Sequence, residues 1–387
     1  MNPEKELHPI LFIDNYFPVI DGVTETVHEY AKRMNATVVC PEMESHYMEK
    51  HDFPYPLMTA KTIRAPFSRY ASAVPALDGV LPKRIAQENP DIFHIHSPSL
   101  LGEYAANLGK KMKVPVVATF HSKYYDAILE FVKVPSVAKM LTQKIVRLYE
   151  SCDAVWACSE ETGETLRSYG YKGEYSVMPN GADTTFPANA AELKERAAAH
   201  WHLPAGKHIL LFVGQQIWYK NQKLILDAFR LLCDEHDDYY LIMVGTGKDE
   251  KDIEKYAGSL NLTGEQVLFT GQIRDRELLN GVYLNTDLLF FPSVFDNAPL
   301  VLREAAVLEV PALLAEGSNA AGAVTKNVNG FTAAATPEAM RDEIARIFAE
   351  EDVRKIGQAA RETIPISWER LIPQVLAEYR RIIGFRV

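Results

Sequence analysis

The stretch Ile209-Leu-Leu-Phe-Val-Gly214-Gln-Gln-Ile-Trp-Tyr-Lys220-Asn221 decides the fold. Its apolar run stops at a glycine, and a helical pattern begins near Gln222. An unbroken apolar run of this kind reads as a strand buried on both faces, which belongs to a parallel sheet flanked by helices. The same unit recurs downstream at Tyr239–Gly245, Val267–Thr270, Leu288–Pro292 and Pro311–Leu314. Upstream it recurs at Ile10–Ile13, Thr37–Cys40, Ile92–His94, Val114–Thr119, Ala154–Ala157 and Tyr175–Met178, mostly with enough residues between runs for a helix. The pattern weakens after Pro179-Asn-Gly181 and restarts at Ile209, which predicts a break near 183–206. Two doubly wound, Rossmann-like α/β domains are expected, facing a cleft beyond the carboxyl ends of their strands.

Composition narrows the function. Among 387 residues, 51 are acidic and 41 basic, a net charge of −10, with 47% hydrophobic and 24% charged residues. That is enough apolar material for two cores and excludes disorder or coiled coil. A negative chain repels a phosphate polymer, so nucleic acid is not an expected partner. No window reaches the roughly 18 apolar residues of a membrane span, and Met1–His8 lacks the basic-then-apolar layout of a signal peptide. A cytoplasmic protein is expected. Cys40, Cys152, Cys158 and Cys233 stand singly, without CxxC pairing, and read as reduced core residues.

Strand ends supply the candidate site residues. Lys220, just before a helix, can meet phosphate oxygens alongside the helix N-terminal amides; read alone, a loop lysine is ordinarily solvated. In Phe291-Pro-Ser-Val-Phe-Asp296-Asn-Ala-Pro-Leu300, a carboxylate precedes a tight entry into a helix, and Glu304 faces back from it. Carboxylates accept from sugar hydroxyls while helix amides hold a phosphate. The bland alternatives are a helix cap for Asp296 and a solvated face for Glu304. His121 ends another strand and could donate to developing charge or satisfy a carbonyl. His94 and His96 could bind a metal, but no third ligand is spaced to join them, so hydrogen bonding in the core is the better reading. Gly245-Thr-Gly247 lacks the third glycine of a dinucleotide fingerprint.

Taken in order, the landmarks carry a resemblance. They are Asp14-Asn-Tyr-Phe-Pro-Val-Ile-Asp-Gly22, Asp91-Ile-Phe-His-Ile-His-Ser-Pro98, Thr119-Phe-His-Ser122, Val177-Met-Pro-Asn-Gly181-Ala-Asp183, Val213-Gly214 with Asn221, Phe269-Thr-Gly271, Asp296 with Glu304, Asn329-Gly-Phe331 and Ser367-Trp-Glu-Arg370. Over nearly its whole length the chain resembles the retaining GT-B glycosyltransferases of family 4, and its Asp14–Gly22 and Phe120–Tyr125 stretches are most similar to the diacylglycerol glycosyltransferases. The resemblance implies an N-terminal domain of 1–185 plus 366–387 and a nucleotide-sugar domain of 206–365. Lys220 would hold the donor diphosphate, Glu304 the ribose hydroxyls, and Asp296 with Asn297, Ala298, Pro299 and Leu300 the donor sugar and its β-phosphate. Gly22 would allow close backbone approach, His121 would face the donor, and the backbone around Gln272 and Ile273 would read the base. Two positions depart from the family: Gln215 stands where an arginine is usual, and Asp296 where a glutamate is. Losing a cation at Gln215 would weaken diphosphate binding by about 1.5–3 kcal/mol.

No carboxylate nucleophile is evident for a double displacement. Front-face substitution remains, in which the leaving diphosphate takes the acceptor's proton while Lys220 and helix amides stabilise it. Without a DxD motif no metal is required, and no cofactor is expected beyond a nucleotide-sugar co-substrate, a UDP-hexose. The acceptor is expected to be a lipid resembling diacylglycerol or a glycan. Residues 104–149 carry eight basic against two acidic side chains, and 59–84 five against one, interleaved with aromatic and aliphatic residues. Such segments can lie on an anionic bilayer, as a peripheral seat on the inner face of the cell membrane, or present a solvated lysine face over a core stripe. The alternative to an enzyme is a scaffold that binds donor but does not turn it over.

Overall fold

The computed structural model describes residues 6–19, 21–43, 47, 52–64 and 71–384. Met1–Lys5, Ile20 and Arg69, which enter the sequence expectations, lie outside the described residues. The chain divides into two units, Met1–Gly181 with Trp368–Val387, and Ala182–Ser367.

The first unit is built on strands β1 (Pro9–Phe12), β2 (Thr37–Pro41), β3 (Leu57–Ala60), β6 (Ile92–Ile95), β7 (Val116–Phe120), β8 (Ala154–Ala157) and β9 (Ser176–Val177), all parallel, in the order β3-β2-β1-β6-β7-β8-β9. A small antiparallel pair, β4 (Thr62–Arg64) and β5 (Ala71–Ala73), stands apart from that sheet. Helices α1 (Gly22–Met34), α2 (Leu81–Gln87), α3 (Leu100–Met112), α4 (Tyr124–Val132), α5 (Pro135–Glu150) and α6 (Glu160–Ser168) make the connections. The sheet's continuous apolar runs are buried: Ile10, Phe12, Phe93, Val116, Ala118 and Phe120 share one core. Of the four free cysteines, Cys40 and Cys158 are buried, but Cys152 and Cys233 are only half-buried, so the expectation of four core thiols holds for two.

The C-terminal helix Trp368–Gly384 belongs to the first unit, fastened by a polar contact within an apolar setting. Tyr379 lies flat against Trp156, with ring centroids 5.4 Å apart, and its hydroxyl meets His94 Nδ1 at 2.6 Å. The other nitrogen of His94 meets Thr119 Oγ1 at 2.7 Å, so the ring is fully satisfied. His96 stacks on His94 at 3.9 Å and its Nδ1 lies 3.1 Å from His121 Nε2. His94 and His96 are thus hydrogen-bonding core residues, and among the described residues no group of side chains is arranged to hold a metal.

The second unit carries β10 (His208–Val213), β11 (Tyr239–Val244), β12 (Val267–Gly271), β13 (Leu288–Phe291), β14 (Ala312–Ala315) and β15 (Phe331–Ala333), again parallel, in the order β12-β11-β10-β13-β14-β15. Its helices are α7 (Ala190–Trp201), α8 (Gln222–Glu235), α9 (Glu250–Ser259), α10 (Arg276–Asn285), α11 (Leu300–Val307), α12 (Pro337–Glu350) and α13 (Val353–Thr363). The sequence expectation began this domain at 206; the unit begins at Ala182. The reason is α7, which packs tightly on α10 at Gly281: a Cβ there would lie 2.3 Å from the Leu193 carbonyl oxygen. The Ala182 amide also donates to the Ile366 carbonyl at 2.8 Å, so both ends of the unit are tied together.

Burial holds His94 and His96 well below the ordinary histidine range and lowers His121 to about 4. An unfolded histidine titrates near 6.5, so below that pH the unfolded chain binds more protons. The three rings contribute stability that is full above about pH 6.5 and lost as pH falls toward 4. Asp14, which burial raises to about 6, works the other way between about pH 4 and 6. With three groups against one, the thermal midpoint is expected to fall between pH 7 and pH 5; a midpoint constant over that interval would contradict the assignment.

Candidate functional site

In each sheet the strand order reverses once, between β1 and β6 and between β10 and β13. At such a reversal the connections leave on opposite faces, and the strand ends part to form a crevice that accepts ligands.

In the second unit this crevice is bounded by the loops after β10 and β13. Trp218–Lys220 forms one 3₁₀ turn, and Asn221 takes a left-handed conformation, φ 65°, to start α8. Asn221 Nδ2 donates to the Pro292 carbonyl at 2.8 Å, locking one loop to the other. Lys220 Nζ then meets Asp296 Oδ1 at 2.7 Å, and Asp296 Oδ2 accepts from Ser293 Oγ at 2.5 Å. Both partners are mostly buried, with side chains 16% and 20% exposed. Asp296 is therefore not the cap of α11, whose first turn follows Pro299 with no side-chain cap at all. An uncapped helix start beside a lysine is suited to an anion.

The neighbouring loop holds the β10 end in place. Gly245, at φ 121°, approaches so closely that a Cβ would lie 2.0 Å from the Gly214 carbonyl oxygen. The Gln216 amide donates to Thr246 O and the Trp218 amide to Asp249 Oδ2, each at 3.1 Å. Gly245-Thr-Gly247 is thus a loop-packing element. Gln215 has an exposed side chain, and its carbonyl accepts from Gln222 Nε2 at 2.7 Å. Asn297 is buried and accepts from Asn319 Nδ2 at 2.7 Å; Ala298 and Leu300 adjoin it. Pro299 has no N–H, so of the four positions expected to offer amides it supplies none; its carbonyl accepts from the Leu302 amide at 3.3 Å. Glu304 is not a solvated side chain: Arg276 donates to Oε1 at 2.9 Å and the buried Tyr283 hydroxyl to Oε2 at 3.2 Å. Arg276 and Tyr283 escaped sequence reasoning because nothing in their spacing from Glu304 marks a partnership. Gln272 is exposed and Ile273 half-buried, directly after β12.

The first unit holds His121 and Gly22. His121 Nε2 lies against His96, and its Nδ1 is 3.5 Å from Cys158 Sγ, so both nitrogens have neighbours within this unit. Gly22 opens α1, where the Asp21 carboxylate accepts from the Val23 and Thr24 amides at 3.0 and 2.8 Å. Between the ends of β1 and β6 lies a cavity of about 470 Å³ lined by Asp14, Asp21, His96, Ser97, Tyr124 and Lys144, among others. Asp14 and His96 stand on its wall, a role their sequence positions after apolar strands hint at only through the reversal of strand order.

Residues 20–186 match the family model described as Glycosyltransferase Family 4, and residues 194–363 match that described as Glycosyl transferases group 1. An α-monoglucosyldiacylglycerol synthase of Streptococcus pneumoniae is 24% identical over 281 residues, covering 69% of this chain and 62% of that protein. A GDP-mannose-dependent α-mannosyltransferase of Corynebacterium glutamicum is 22% identical over 98% of this chain and 90% of its own. Anabaena HepE, solved in complex with UDP and glucose, superposes with a TM-score of 0.75 at 18% identity, covering 97% of this chain and 99% of that one. A sucrose-phosphate synthase of Thermosynechococcus elongatus gives 0.78 at 19% identity, with coverage of 97% and 99%.

The Lys220–Asp296 pair should act as a unit. In a double-mutant cycle of Lys220→Met and Asp296→Ala, followed by chemical denaturation, a coupling of at least about 0.5 kcal/mol is expected. Fully additive losses would show that the contact carries no stability.

Proposed function

For this chain, which belongs to the GT-B glycosyltransferases, we propose that it moves a hexose from a UDP-sugar to a lipid hydroxyl with retention at the anomeric carbon. The observation that carries this reading is Lys220 paired with Asp296 beside the uncapped start of α11, at the crevice of the second unit. The incoming diphosphate takes Lys220 from Asp296, and the released carboxylate accepts from a sugar hydroxyl. Lys220 and the helix amides then stabilise the charge that develops on the leaving oxygen, and that oxygen takes the acceptor's proton. These groups need no metal to do so. Glu304, already oriented by Arg276 and Tyr283, accepts from the ribose hydroxyls, and the backbone at Gln272 and Ile273 adjoins the base.

Relatives named for GDP-mannose and for a diacylglycerol glycolipid fit the same reading at the level of a nucleotide-sugar donor and a lipid or glycan acceptor. A lipid is favoured by helices α4 and α5. Phe131 is 88% exposed, and Val134, Val137 and Met140 are exposed beside Lys133 and Lys139. Exposed apolar side chains amid lysines suit an anionic bilayer surface. No helix among the described residues is long and apolar enough to cross a membrane, so contact would be peripheral. The exposed Gln215, in place of a family arginine, favours the second reading, a donor-binding protein without turnover.

Thermal unfolding with UDP, GDP, ADP and NAD in excess tests the donor. At about 100 times its dissociation constant a ligand adds about 2.7 kcal/mol, so UDP is expected to raise the midpoint by several degrees. Lys220→Ala should weaken UDP binding about 10–100-fold, the scale of a charge-assisted hydrogen bond; unchanged affinity would sink the assignment. Stabilisation without transfer to any acceptor would favour the second reading. Replacing Phe131 and Met140 by aspartate should release the chain from phosphatidylglycerol vesicles; if the unaltered protein does not sediment with them, the membrane seat is wrong.

A further inference from the structure

The cavity of the first unit takes no part in the donor chemistry, yet its wall carries two buried polar atoms with nothing to bond to. Asp14 Oδ1 accepts from the Leu101 amide at 3.2 Å, whereas its Oδ2 is sealed from solvent and takes no hydrogen bond. His96 is 1% exposed; its Nδ1 meets His121, and its Nε2 has no partner. Leaving such groups unpaired is costly, and both stand on a cavity whose volume of about 470 Å³ suits a small-molecule site. The cavity also lies at the reversal of strand order, where an open α/β sheet takes its ligand.

Resting on the glycosyltransferase reading, we infer that this cavity holds the acceptor by an uncharged polyhydroxyl head, bonded to Asp14 Oδ2 and His96 Nε2, and rejects heads that carry a phosphate. A hydroxyl donates one hydrogen bond and accepts others, which is what the two atoms require. When the Cys158 thiol donates to His121 Nδ1, His121 Nε2–H donates to His96 Nδ1, and the proton of His96 then sits on Nε2, facing the cavity. The wall offers in that state one acceptor, Asp14, and one donor, His96. A charged head meets the opposite condition. Asp14, Asp21 and Glu103 line the cavity against Lys144 alone, and Lys144 is held by Glu103 at 2.5 Å. A phosphate would lie beside carboxylates with no uncommitted cation on that wall to meet it. Ile128, Leu141 and Ile145 complete the wall from α4 and α5, the helices that carry exposed Phe131 and Met140, so an apolar tail has a continuous path. Burial raises the Asp14 carboxyl to about 6, in keeping with a carboxylate short of donors until a hydroxyl arrives.

The test uses the full chain with labelled UDP-glucose and GDP-mannose. A diacylglycerol, a neutral glycosyl-diacylglycerol and a free disaccharide serve as uncharged heads; phosphatidylinositol and phosphatidylglycerol serve as phosphate heads. Transfer to at least one uncharged head should exceed transfer to either phosphate head by tenfold or more, and the disaccharide arm separates a soluble glycan from a lipid. Asp14→Asn keeps the oxygen that serves the Leu101 amide and should raise the acceptor KM about tenfold with the UDP affinity unchanged. Leu141→Trp, which fills the cavity from its apolar side, should do the same. Transfer to phosphate heads at an equal or greater rate overturns the inference and leaves the glycosyltransferase reading standing, as does an unchanged acceptor KM in both variants. Loss of UDP binding together with the absence of any transfer overturns both.

Discussion

A parallel sheet buried on both faces can return its chain only through crossovers, and the hand of those crossovers is fixed. Once a sheet grows first to one side of its opening strand and then to the other, the loops beyond that strand must diverge. The divergence at β1 and β6, and again at β10 and β13, is the constraint on which the rest of the molecule depends. It sets Asp14 and His96 on one crevice, and Lys220 and Asp296 on the other, although these residues are far apart in sequence.

The two crevices offer opposite chemistry on the same scaffold. In the second unit a lysine, an uncapped helix start and a pair of locked loops favour negative charge. In the first unit carboxylates predominate, and the one lysine on the cavity wall is already paired. A group-transfer enzyme needs this contrast: an anionic leaving group must be stabilised where it departs, and a neutral nucleophile must be oriented without being trapped by an ion pair.

The long apolar runs made the sheets legible in the sequence, because a strand with both faces buried cannot hide its composition. The elements that escaped were short or partly polar: Leu57–Ala60 at a sheet edge, the pair Thr62–Arg64 and Ala71–Ala73, and the three residues Phe331–Ala333. Helix Ala190–Trp201 was seen as helix-prone but not as part of a domain, since its attachment depends on the missing side chain of Gly281. Among site residues, Lys220, Asp296 and Glu304 were marked by their places beside strands and helix starts. Their bonds to one another and to Ser293, Arg276 and Tyr283 were not, because a side-chain contact between distant segments leaves no local pattern. Asp14 and His96 sit at ordinary strand ends, and only the topology reveals that both strand ends border one cavity.

The helix Trp368–Gly384 completes the first unit from beyond the whole of the second. During synthesis, residues 182–367 can therefore collapse as a contiguous body while the first sheet still lacks Tyr379 over Trp156 and the hydroxyl that satisfies His94. The usual order, in which the earlier domain matures first on the ribosome, is reversed here for its last step. The N-terminal unit reaches its final packing only after the C-terminal helix has emerged, and a ribosome stalled in the last few turns leaves a buried imidazole exposed rather than a protein merely shortened.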